Sequence, residues 1–224
     1  MRRLQAAGLL ALLGAWMLLA PVPAQANGVY VFGFQCVDPA STVCQGVAPQ
    51  LQMLVSDGPS SNQVSFGFIN NGPLSSVITQ VYWDDAATPL LDFSAPVLTP
   101  PAGKGWAVGG TPANLPGGNT LIPPFVTDFM VSANSPTPSN GIGPGESMEV
   151  VMAKASGKTY IEVINALNAG TVLVGFHVQG VAPTGGSVAL FNGPGVPQVP
   201  EPGTALLLGS AMAALAFIKR KKFF

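Results

Sequence analysis

From 171 to 178 the side chains alternate without a break: Val172, Val174, Phe176 and Val178 fall on one face of an extended chain, and Leu173, Gly175 and His177 on the other. A helix would scatter these residues around its circumference, whereas a strand sorts them into a core face and an outer face. Residues 63–68 repeat the pattern, and 148–154 do so less cleanly. Residues 29–34, 50–55, 77–83 and 187–191 add further apolar or β-branched runs of strand length. Turn signals separate these runs, among them Asp57-Gly58-Pro59, Asn70-Asn71-Gly72-Pro73, Gly143-Pro144-Gly145 and Thr184-Gly185-Gly186. With 22 prolines and 27 glycines spread along the chain, long helices have little room. The body is therefore predicted to be mainly β, an antiparallel β-sandwich of which the jelly roll is one form. Residues 96–145, rich in Gly, Pro and Asn, are expected to form long loops with short edge strands. One short crossover helix is predicted over 160–168, where Tyr160, Ile161, Ile164 and Leu167 share a helical face and Gly170 stands where a C-cap would.

Both ends of the chain follow other rules. Met1-Arg2-Arg3 precedes a Leu/Ala-rich run over 4–20, and the segment that follows ends in Ala24-Gln25-Ala26. A charged start, an apolar middle and a small-x-small finish make a signal peptide over 1–26, cut by signal peptidase beside Ala24 and Ala26. At the other end, Val199-Pro200-Glu201-Pro202 leads into 203–218, which carries no charge, and then into Lys219, Arg220, Lys221 and Lys222. The prolines bias the chain toward an extended arrival. As a helix, the apolar run would be about 24 Å long at about 1.5 Å per residue, short of the roughly 30 Å hydrocarbon core. Local thinning of the bilayer and snorkelling lysines can make up the difference. The four cations then act as a basic stop-transfer cluster that holds this end in the cytoplasm. The expected division is 1–26 signal peptide, 27–192 ectodomain, 193–198 Gly/Pro spacer and 199–224 C-terminal signal, with the transmembrane helix at 203–218 and the basic tail at 219–222.

This tail resembles the PEP-CTERM sorting signal of Gram-negative bacteria, with Val199, Pro200, Glu201 and Pro202 matching the motif and Lys219 to Lys222 the basic cluster. The resemblance implies an exosortase as processing partner. It also implies a protein anchored in the inner membrane by a single span before processing, then passed to the cell surface, outer envelope or extracellular matrix. Two stretches of the body also look like those of other proteins bearing this signal: 113–119, and 175–180 followed by 185–187. Neither carries active-site residues to transfer.

Setting the ends aside changes the electrostatics. Between 27 and 198 there are three cations, Lys104, Lys154 and Lys158, against nine carboxylates, which leaves a net charge of −6. Such a surface lacks the clustered cations that nucleic acid requires. Cys36 and Cys44 are the only cysteines, and in an exported chain an even pair reads as a disulfide. A metal pair would need further nearby ligands, and the single histidine, His177, is far away in sequence.

Catalytic chemistry finds little support. Nucleophilic hydrolysis needs a base oriented by a carboxylate, and His177 sits inside a predicted strand, where a hydrogen-bonding role is expected. No Gly-x-Ser-x-Gly, His-Glu-x-x-His or phosphate-cradling glycine loop occurs. Asp84 and Asp85 read as solvated turn carboxylates, with a Ca²⁺ site as the rival reading. Trp83, Trp106 and Tyr82 could make a sugar-stacking platform if exposed, and Trp106 lies in a glycine-rich setting that favours exposure. No catalytic residue, metal or cofactor is assigned. The expectation is a non-enzymatic surface or matrix protein associated with exopolysaccharide, with a carbohydrate-binding or weakly carbohydrate-active domain as the alternative.

Overall fold

Alternation translates directly into two sheets. The computed structural model describes residues 28–85 and 89–194, and the backbone alone of Val199–Pro200. The strands are β1 (Tyr30–Phe32), β2 (Gln35–Cys36), β3 (Leu51–Asp57), β4 (Gln63–Asn70), β5 (Val77–Asp84), β6 (Leu91–Thr99), β7 (Trp106–Val108), β8 (Phe129–Ala133), β9 (Glu146–Lys154), β10 (Leu173–Val181), β11 (Gly186–Phe191) and β12 (Val199–Pro200). One sheet has the order β12-β1-β3-β4-β9-β6 and the other β2-β11-β10-β5-β8-β7. Every pairing between these strands is antiparallel.

The sheets face one another across an aromatic centre. Phe66 and Phe68 of β4 meet Trp83 of β5 edge-on, with ring centroids 5.9 and 5.6 Å apart. Phe68 also meets Phe176 of β10 at 5.5 Å. The predicted alternation of β10 holds: Val174, Phe176 and Val178 enter this core, while Leu173 joins a second apolar cluster with Tyr82, Met130, Leu115 and Phe125. That cluster covers the outer face of the second sheet. Leu115 and Phe125 come from the segment between β7 and β8, so this face is closed by a loop instead of by water.

Helices are few. The predicted crossover helix appears as α3 (Tyr160–Ala169), joining β9 of one sheet to β10 of the other. A helix of about this length needs help at its ends. Thr159 and Glu162 supply it as a capping box, and Gly170, at φ 69°, closes the C-terminus in the left-handed region. Its buried face is Tyr160, Val163, Ile164 and Leu167. Ile161, expected on that face, is exposed instead, because three- and four-residue steps from Tyr160 reach 163 and 164. Two shorter helices were not expected: α1 (Thr42–Val47), capped by the Ser41 hydroxyl, and α2 (Thr137–Asn140).

The expectation for 96–145 needs correcting at its start. Here β6 runs nine residues along the edge of its sheet, through Pro96. The register against β9 shifts between Asp92 and Val97, so the missing N–H of Pro96 falls at an irregularity on an edge strand, where a ladder tolerates it. Among the described residues no helix is long and apolar enough to cross a membrane. The predicted signal helix and C-terminal span lie outside those residues.

Candidate functional site

Val199 and Pro200 of the sorting motif form β12, antiparallel to β1 with Val31 opposite Val199 and Tyr30 opposite Pro200. Proline has no N–H to donate to a ladder, so an edge position suits it. Glu201, Pro202, Lys219, Arg220, Lys221 and Lys222, together with Ala24 and Ala26, lie outside the described residues.

One concavity in the body surrounds the single histidine. His177 lies on the outer face of β10, opposite Gln80 of β5 and Ala189 of β11. Two segments close over it: the loop ahead of α1, pinned by the Cys36–Cys44 disulfide with its Cα atoms 5.9 Å apart, and the turn at 116–120. Glycine makes that approach possible twice. A Cβ on Gly175 would lie 2.9 Å from the Leu115 methyls, and one on Gly117, whose φ is 73°, would lie 3.0 Å from Val37. Without side chains at these positions the loop seats directly on the sheet and on the disulfide loop. The result is a cavity of about 570 Å³ walled by His177, Asp38, Ser187, Val37, Pro116 and Val188, among others. The two stretches 113–119 and 175–180, distant in sequence, meet at this cavity.

Hydrogen bonding fixes the state of the imidazole. The side-chain amide of Gln80 donates from Nε2 to the Thr111 carbonyl at 2.7 Å. A carbonyl can only accept, so the other end of the amide, Oε1, faces His177 Nδ1 at 2.6 Å. Nδ1 therefore carries the proton and donates it, and Nε2 is left as a lone-pair acceptor. Burial pushes the imidazole below its ordinary value of 6.5, which keeps the ring neutral. The partnership is across neighbouring strands of one sheet and does not cross between sheets. Folding stability should consequently be level with pH above about 6.5 and fall as pH drops below it. In that range the unfolded chain takes up a proton that the folded ring refuses, up to one proton in slope. Denaturation midpoints at pH 7.5 and 5.5 measure this, and His177→Gln should lose the part of the difference that belongs to the ring.

The aromatic platform does not form. Trp83 and Tyr82 are fully buried and Trp106 is nearly so. The Trp106 indole N–H donates to the Asn140 carbonyl at 2.8 Å, and the Tyr82 hydroxyl donates to the Pro112 carbonyl at 3.1 Å. Trp106 belongs to β7, paired with β8, so its glycine-rich setting did not translate into exposure.

The aspartates are corrected as well. Asp85 is buried, not solvated, because its Oδ2 accepts the N–H groups of both Leu90 and Leu91 at 2.8 Å. Burial pushes its carboxyl above the ordinary value against the pull of those two bonds, with the charges of Asp128 and Asp84 adding to the rise. Asp84 Oδ2 accepts from the Val126 N–H and Asp128 Oδ2 from the Asp85 N–H. These three carboxylates tie the connection after β5 to the start of β8. Among the described residues no group of three or more His, Cys, Asp or Glu is gathered to hold a metal.

The comparisons with known proteins bear on the tail alone. Residues 198–221 match the family model of the PEP-CTERM protein-sorting motif. No curated protein and no solved structure matches the chain.

Proposed function

We propose that this chain, which carries the PEP-CTERM protein-sorting motif over 198–221, is an exported surface or matrix protein processed by an exosortase. Its course begins with signal-peptidase cleavage at Ala24-Gln25-Ala26. The apolar run 203–218 and the cations Lys219 to Lys222 then tether it to the inner membrane. Cutting near Val199-Pro200-Glu201-Pro202 releases the body to the cell surface, where it associates with exopolysaccharide and does no catalysis. The motif match carries this reading, supported by the order of hinge, short apolar run and basic end, which gives an anchor too short to sit comfortably in a bilayer.

The test is the fate of a Pro200→Ala, Glu201→Gln, Pro202→Ala variant in a host with an active exosortase. The unsubstituted chain should appear at the surface at its processed size. Most of the variant should remain full-length in the inner-membrane fraction. Processing and surface display at the unsubstituted level would overturn the proposal.

A further inference from the structure

The cavity over His177 is unused by the sorting reading, and its chemistry is specific. Its deepest polar group is a neutral imidazole whose Nδ1–H is committed to Gln80, so what it offers inward is an acceptor lone pair at Nε2. The wall adds the Asp38 carboxylate, again an acceptor. The hydroxyl of Thr120 spends its proton on the Gly117 carbonyl at 2.7 Å, whereas that of Ser41 accepts the Cys44 N–H at 3.2 Å and keeps its own O–H for a ligand oxygen. Ser187 contributes a further hydroxyl, and the apolar part of the wall that shares the outer face with His177 is Val37, Pro116 and Ala189. A ligand for such a cavity brings hydroxyl donors at its edge and C–H groups on its faces.

Charge narrows the choice further. None of the three lysines of the body lines the cavity. Lys104 pairs with Glu146, Lys154 with Asp57 and Lys158 with Glu162. An anionic ligand would meet Asp38 and no counter-charge, and desolvating it unpaired is expensive. A cation would find one carboxylate and no gathered ligand set. A neutral polyol ring satisfies both conditions, and about 570 Å³ lies within the usual range for small-molecule sites, about 300–1,000 Å³.

We propose that the cavity formed by His177, Asp38 and Ser187 beneath the disulfide loop and the 116–120 turn is a binding site for a neutral sugar unit. Its Nε2 and carboxylate accept from ring hydroxyls, and Val37, Pro116 and Ala189 pack against the sugar's C–H faces. This deepens the reading of the chain as an exopolysaccharide-associated protein by giving that association a location.

Because His177 is the only histidine, histidine-selective ¹³C/¹⁵N labelling of the full chain in detergent gives one ring to observe. The probes are glucose, galactose, mannose and N-acetylglucosamine and the disaccharides lactose and cellobiose, with glucuronate as the charged counterpart and glycerol as the small polyol. The free protein should show the Nδ1–H tautomer, and at least one neutral sugar should shift Nε2 saturably. Ser187→Trp places an indole at an exposed position of the wall and should raise the apparent Kd at least about tenfold while leaving the Nδ1–H signal of the free protein in place. Three results would each overturn the site: no saturable shift with any neutral sugar, a shift that Ser187→Trp leaves intact, or glucuronate binding more tightly than the neutral sugars. Co-sedimentation of the same two proteins with the host's exopolysaccharide separates this from the broader reading. Binding that Ser187→Trp does not weaken keeps the matrix role and removes the pocket from it, whereas no binding by either protein removes the matrix role itself.

Discussion

Replacing Trp83 with alanine should destabilise the folded body by about 3–5 kcal/mol, the largest single-residue loss expected in this chain. Trp83 is fully buried at the middle of the sandwich. Its ring lies 5.9 Å from Phe66, 5.6 Å from Phe68 and 5.4 Å from Phe129 by centroid distance, so it joins β4 of one sheet to β5 and β8 of the other. Truncation removes buried apolar area and leaves a cavity that the paired strands cannot close. Thermal unfolding followed by circular dichroism should show Tm lowered by roughly 10 °C, at about 2–4 °C per kcal/mol for a domain of this size. Trp83→Phe should cost much less than its volume change suggests. The indole Nε1 has no hydrogen-bond partner among the described residues, and phenylalanine removes that buried donor along with the ring volume. A loss below about 1 kcal/mol for Trp83→Ala would mean that the two sheets do not pack as described.

Asn70→Leu should cost about 3–4 kcal/mol although leucine is close to asparagine in size. The reason is what asparagine holds together. Its Nδ2 donates to the carbonyls of Ser76 and Ile142 at 2.9 and 3.3 Å. Its Oδ1 accepts from Gln50 Nε2 at 2.8 Å and from the Gly72 N–H at 3.2 Å. Gln50 in turn holds Leu74 at both its N–H and its carbonyl. The network knits the end of β4, the 71–76 connection and the 3₁₀ turn Ala48–Gln50 into one buried unit. Leucine leaves several of these groups desolvated and unpaired, which costs more than the lost bonds themselves. Denaturant unfolding should show a lower midpoint with an unchanged slope. Gln50→Leu combined with Asn70→Leu should cost less than the two losses added, since both break the same network. Strict additivity would count against a shared network.

The strands that sequence made legible are those with uninterrupted alternation. In β4, and in β10 as far as Val178, each residue's face could be read from its neighbours, and the C-terminal end of α3 was marked by Gly170, while the Thr159–Glu162 capping box at its start went unread. β6 was hidden because Pro96 and a register shift break its period, and because most of its side chains are exposed. α1 was hidden because its six residues, which straddle Cys44, are too few to show a helical period of their own. The cavity over His177 illustrates a different limit. Its walls come from the disulfide loop, the 116–120 turn, β10 and β11, and nothing local to any one of them signals that they converge. The traces were two glycines where segments must come close, Gly175 beneath Leu115 and Gly117 against Val37. Trp106 was misread for a related reason, since flanking glycines describe the backbone's freedom and say nothing of what the indole packs against.

On the processing proposed above, the pairing of β12 with β1 gives the location of the cut a mechanical meaning. Tyr30 and Pro200 are opposite one another, so the first strand of the body and the start of the motif are one strand spacing apart, about 4.8 Å. A cut downstream of Pro200 leaves the border of that sheet hemmed by its own last two residues. A cut upstream of Val199 strips the hem and bares the backbone of Tyr30 and Val31, an open seam of the kind that recruits strands from other chains. On that processing, whether the released body stays solitary or stitches itself to its neighbours turns on which peptide bond is severed.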